Sequence, residues 1–148
     1  MYKTIVVPLD GSKRAEAILP HVVELAQRYE ARVVFVRILE PIPYITRPEG
    51  APDILWQDLV TEWQAEALAY MDARVREFGE QGIPCKAEII QGPVVKAITD
   101  TAEKEDADLI AMASHGRTGL SQAFYGSVTA GVLQRVDRPL LVIRSRPG

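Results

Sequence analysis

Two stretches carry residue types that could do chemistry together. Asp10-Gly11-Ser12 follows the apolar run TIVVPL (4–9), and Ser114-His115-Gly116 follows the run DLIAMA (108–113), with Gly126-Ser127-Val128 nine residues beyond Gly116. An aspartate at the end of a strand can accept from both hydroxyls of a ribose, while backbone amides beside glycines can donate to phosphate oxygens with no Cβ in the way. If Ser127 begins a helix, the free amides of Ser127, Val128 and Thr129 and the positive end of the dipole face the same anion. Such a terminus is worth about 0.3–1 kcal/mol when exposed and up to about 2 when partly buried. Each residue also has a purely structural reading: Asp10 and Ser12 as a helix cap, Gly116 and Gly119 as turn residues, Ser127 as a second cap. Joint placement at adjacent strand ends is what favours a site. His115 is the candidate acid or base, and its competing role is a loop residue bonded to backbone.

The same stretches exclude two nucleotide-binding classes. Gly126-Ser127-Val128 lacks the Gly-Lys-Ser/Thr ending of a P-loop, and no Gly-x-Gly-x-x-Gly follows the first apolar run, so neither a P-loop NTPase nor a dinucleotide dehydrogenase is supported.

Positioning these residues requires a sheet. Thr4–Leu9, Arg32–Leu39, Cys85–Gln91, Asp108–Ala113 and Pro139–Ile143 read as five short strands, the third alternating as an edge strand does. Between the first two, Ala15, Ile18, Leu19, Val22, Leu25, Ala26 and Tyr29 recur at helical spacing, with a kink or restart expected at Pro20, which has no donor for the Glu16 carbonyl. Glu40–Asp53 carries four prolines and a glycine and reads as a long loop. Trp56, Leu59, Trp63, Ala67, Tyr70, Met71, Val75 and Phe78 then trace the stripe of the longest helix, over 55–78. The two tryptophans have the spacing of a core-facing stripe, which is preferred to a stacking platform. Val94–Glu105 and Ser127–Val136 complete the set, with Pro93 at a tolerated first-turn position. Strands alternating with crossover helices predict an α/β fold, an open parallel sheet covered on both faces. Ligands of such sheets bind beyond the carboxyl ends of strands, where strand order reverses.

The whole chain bounds what it can do. Its 148 residues suit a single domain over 1–148. A net charge of −3 supplies no basic field for nucleic acid or an anionic membrane surface. No run reaches the length of a signal peptide or membrane span, so a cytoplasmic location is expected. Cys85, the single cysteine, reads as inert strand filler, and the tail Arg144–Gly148 as frayed.

Ile5-Val-Val-Pro-Leu-Asp-Gly-Ser12, the stretch Ser114-His-Gly-Arg-Thr-Gly119 with Gly126-Ser-Val-Thr129, and Arg138-Pro-Leu-Leu-Val-Ile143 resemble the universal stress proteins. The likeness runs through essentially the whole chain. The ATP-binding branch of that family carries Gly-x2-Gly-x9-Gly-Ser/Thr; here Gly116, Gly126 and Ser127 match, and Ala113 stands at the first glycine, adding a methyl group near the expected nucleotide. The resemblance implies a Rossmann-like sheet of order 3-2-1-4-5. It implies that Asp10 meets the ribose or adenine, that Pro8 and Ile38 line the adenine pocket, and that Met112 and Ala113 lie along the nucleotide. Gly116, Arg117, Gly126, Ser127 and Val128 would hold the phosphates of ATP, ADP or AMP, with Mg²⁺ bridging their oxygens. It also implies a homodimer through the last strand, 139–143. The function that follows is a stress-response or signalling module whose nucleotide biases loop and dimer conformation for protein partners. A slow ATP hydrolase is the alternative, disfavoured because phosphoryl transfer draws on dense positive charge and this loop offers one arginine; a nucleotide-free dimeric interaction protein is a third reading.

Overall fold

A computed structural model describes residues 1–39, 53–114 and 126–145, with backbone alone at 53–56 and 126. The elements run β1 (Thr4–Leu9), α1 (Lys13–Glu16), α2 (Leu19–Tyr29), β2 (Arg32–Leu39), α3 (Asp53–Glu80), β3 (Cys85–Gln91), α4 (Val94–Lys104), β4 (Leu109–Ala113), α5 (Gly126–Arg135) and β5 (Leu140–Ile143). The five strands form one parallel sheet of order β3-β2-β1-β4-β5. This is the α/β architecture and strand order expected.

Two layers of helices cover the sheet because its strands alternate. Ile5, Val7, Leu9, Val33, Phe35, Leu109 and Ala111 face one side, where Ile18, Val22 and Ala26 of the first helical pair and Met71 and Phe78 of α3 meet them. Val6, Val34, Val36, Ile110 and Met112 face the other, against Ile98 and Ala102 of α4 and Val132 of α5. Continuous burial along β1, β2 and β4 is what a sheet covered on both faces demands.

Pro20 divides the first helical region as its chemistry requires. α1 ends after one turn and α2 restarts with Pro20 in its first turn, where the missing N–H costs nothing. Other boundaries differ from expectation. Tyr29 leaves the apolar face, is 38% exposed and stands edge-on to Tyr2 at 5.2 Å. The stripe of α3 is buried at Ala67, Met71 and Phe78, but Leu59 is 37% exposed, because only the later turns of this helix lie on the sheet. Trp63 is half-buried, and the side chain of Trp56 lies outside the described residues. Of the tail Arg144–Gly148, Ser145 is buried, and 146–148 lie outside the described residues. Cys85 donates its thiol to the Val75 carbonyl at 3.3 Å, and burial pushes its pKa up, away from the reactive thiolate.

Candidate functional site

The site begins with a hydrogen bond that the sequence withholds. Lys3 accepts from the amide of Arg32 on β2, and Thr4 accepts from the amide of Asp108 before β4. Alternate residues of β1 therefore turn their backbone groups to opposite neighbours, and Thr4, Val6 and Pro8 belong to the β4-facing set. Proline has no N–H to donate. In a parallel ladder that donor would reach the residue preceding its partner, here Ala111. The β1–β4 register accordingly pairs Ile5 with Leu109 and Val6 with Ile110 and ends, whereas β1–β2 pairing continues to Leu9 with Arg37. On the far side β4 stays paired to β5 as far as Ala113 with Ile143, and Ser114 N–H adds a bond to the Ile143 carbonyl. The hydrogen-bond ladder between β1 and β4 thus opens before their carboxyl ends, where the strand order reverses, although the two strands stay neighbours.

Four of the residues singled out in the sequence share one face of this opening. Pro8 follows Val6 on the α4/α5 face, Met112 lies in the core there, and Ile38 and Val128 pack against it. Alternation gives Ala113 to the face of Ala111, toward α1. Its methyl group therefore points away from Pro8, Ile38 and Met112.

Asp10 anchors the turn that leaves β1. Its Oδ1 accepts from Ser12 N–H at 2.9 Å and from Ser12 Oγ–H at 2.6 Å, and Ser12 Oγ accepts from Ala15 N–H at 3.1 Å as the N-cap of α1. The capping role and the strand-end carboxylate thus coexist.

α5 begins at Gly126, so the last helix opens one residue before Ser127. Ser127 is exposed and Val128 half-buried. Thr129 is buried, and its hydroxyl donates to the Ala113 carbonyl at 3.5 Å, holding the first turn of α5 against the end of β4. Ser114 is 2% exposed, and its Oγ has no hydrogen-bond partner among the described residues. A buried, unbonded hydroxyl costs free energy unless a ligand or water meets it. The sequence named Ser114 and Thr129 within their stretches but gave their hydroxyls no role; the signal for Ser114 was a hydroxyl continuing the parity of the buried strand β4. His115, Gly116, Gly119 and Arg117, and the loops 40–52 and 117–125, lie outside the described residues. Among the described residues no group of three or more His, Cys, Asp and Glu is placed to hold a metal ion, and no helix is long and apolar enough to cross a membrane.

Comparison with known proteins places this geometry in context. The model of the Universal stress protein family matches residues 1–144. Universal stress protein MJ0531 of Methanocaldococcus jannaschii is 32% identical over 146 residues, covering 97% of this chain and 83% of that protein. The solved structure of MJ0577, from the same organism, matches with a TM-score of 0.85 at 29% identity, covering 100% of this chain and 99% of the other. A universal stress protein from Archaeoglobus fulgidus, solved in complex with dAMP, matches with a TM-score of 0.66 at 24% identity over 96% of this chain and 98% of its own.

Proposed function

The chain belongs to the universal stress protein family, and from that premise we propose that it is a stress-response module that binds an adenine nucleotide in the opening between β1 and β4. The observation that carries the reading is the end of the β1–β4 hydrogen-bond ladder at Val6 and Ile110, with Asp10, Pro8, Met112, Ser114 and the N-terminus of α5 at the strand ends beyond it. Asp10 uses Oδ1 for Ser12, which leaves Oδ2 for a ribose hydroxyl. Pro8 and Ile38 offer an apolar wall to the base. The amides of Gly126, Ser127 and Val128, with Gly116 and Arg117 by resemblance, take the phosphates. Mg²⁺ would ride on phosphate oxygens, which suits a cation that keeps much of its water. The same fold holds dAMP in the Archaeoglobus relative.

Assembly follows from the two sheet edges. β3 is guarded by charge: Lys86 lies 3.6 Å from Glu88 and 3.1 Å from Glu105, and Lys104 lies 3.3 Å from Glu88. β5, Leu140-Leu-Val-Ile143, carries no charge and is half-buried at every position. An unguarded apolar edge calls for a partner strand, and a second copy of β5 supplies one, making a homodimer whose conformation the nucleotide biases.

The test is direct. The purified protein, denatured and analysed by mass spectrometry, should release an adenine nucleotide, and calorimetric titration with ATP and Mg²⁺ should show saturable binding that Asp10→Ala and Gly126→Val weaken. Failure of the wild type to bind ATP or AMP at millimolar concentration would sink the reading, and unchanged affinity in both variants would place the site elsewhere.

A further inference from the structure

We propose that Arg37 is a positioning residue for the nucleotide: its guanidinium lies on the backbone of Gly11, fixes the Asp10–Ser12 turn and ties that turn to α3. The proposal rests on the reading above, that the opening holds an adenine nucleotide. Arg37 stands opposite Leu9 in the β1–β2 register, so it reaches the turn that follows β1. A methyl group placed on Gly11 would stand 2.6 Å from Nη1 of Arg37 and 3.2 Å from its Cζ. The guanidinium therefore occupies the volume that a side chain at position 11 would take. Gly11 also has φ of +86°, a left-handed conformation that L-residues rarely adopt. Glycine is required there twice over, once for the turn and once to admit the arginine.

The other side of Arg37 is packed as well. Its Cζ lies 5.6 Å from the centroid of the Tyr70 ring on α3, and Cζ of Arg74, one turn later, lies 4.9 Å from the same ring. The Tyr70 hydroxyl donates to Oε2 of Glu16, which also accepts from Nη1 of Arg74 at 3.2 Å. Glu16 belongs to α1, the helix that Ser12 caps. The contacts close a ring: Asp10 to Ser12, along α1 to Glu16, across to Tyr70, through Arg37, and back to Gly11. The turn that carries Asp10 is thus held from α1 on one side and, through Arg37 at Gly11, from α3 on the other. A planar guanidinium can stack on a peptide and face an aromatic ring at once; an ammonium cannot.

Calorimetric titration of the full chain with ATP and Mg²⁺ tests this in wild type, Arg37→Ala, Arg37→Lys, Asp10→Ala and the double variant Asp10→Ala/Arg37→Ala. Arg37→Ala should weaken binding about tenfold, within the couplings usual for contacting residues. Arg37→Lys should recover little of it. In the Asp10→Ala background Arg37→Ala should cost nothing further, because Arg37 acts through Asp10. Thermal unfolding without ligand reports whether each variant folds; if Arg37→Ala does not, Arg37→Lys in the same cycle decides. Additive losses, or wild-type affinity in Arg37→Ala, overturn the proposal while leaving the nucleotide reading intact. A wild type that binds no ATP overturns both.

Discussion

Along β2, strand β1 keeps its register from Thr4 with Arg32 to Leu9 with Arg37, whereas along β4 it ends at Val6 with Ile110. Both flanks belong to one strand with the same apolar composition, so the difference is not one of hydrophobicity. It comes from one missing donor at Pro8, acting on one side only because backbone direction alternates. The closed flank is hydrogen-bonded along the whole of β1, and the open flank, whose ladder stops early, is the one beside the proposed nucleotide site. The amino end of the open flank is nonetheless pinned. Asp108 Oδ2 accepts from Lys3 N–H at 2.8 Å and Thr4 N–H at 2.9 Å, and those two amides hold its carboxyl pKa below the usual range.

Three perturbations test this contrast. The largest effect should come from the closed flank: Phe35 is fully buried and packs edge-on to Phe78 at 4.9 Å, so Phe35→Ala should cost about 3–5 kcal/mol in denaturant unfolding. Nucleotide affinity of the molecules still folded should barely change; a loss comparable to that of Asp10→Ala would show that the two flanks are not separable. Next comes Pro8→Val, which restores the donor. The gain of about 0.5–1.5 kcal/mol from a strand bond is nearly offset by about 0.4–1 kcal/mol from a freer unfolded chain. The melting temperature should hardly move, while affinity for ATP falls and the new amide becomes protected from hydrogen exchange. An unprotected amide with undiminished affinity would mean that proline does not set the opening. The smallest effect is in acid. Because the folded pKa of Asp108 is depressed, its contribution is complete above the unfolded value of about 3.9 and is lost as pH falls through the folded value. Asp108→Asn should flatten that part of the acid unfolding curve; an unaltered curve would remove Asp108 from the account.

Much of this was legible in the sequence, for reasons that differ by element. β1 and β2 were read to the residue because both are uniform apolar runs bounded by turn residues, and the Pro20 restart because a missing amide admits few outcomes. The stripe of α3 was misjudged at Leu59 because periodicity records which residues share a face, not whether a sheet extends beneath that turn. Asp10, Gly126 and Ser127 announced themselves by type. The part played by Pro8 in ending the β1–β4 ladder did not, since its direction depends on strand parity and on which neighbour lies on which side. Arg37 was likewise silent: an arginine in RVVFVRIL looks like a solvated strand end until Gly11 is found beneath it. The face taken by the Ala113 methyl needed the same knowledge of alternation.

Gly131 carries a consequence for mutational drift. It lies in α5 where a Cβ would stand 2.7 Å from Cγ2 of Val95 on α4. A larger residue there forces either the Val95 side chain or α5 itself to shift, and a shift of α5 would carry its first turn, bonded to Ala113 through Thr129, along with it. If the proposed site binds nucleotide, its loss in a diverging lineage can therefore begin at a position outside the residues proposed to hold it. Its compensation would arise across the helix pair, by a smaller residue at Val95, leaving every residue of the pocket unchanged.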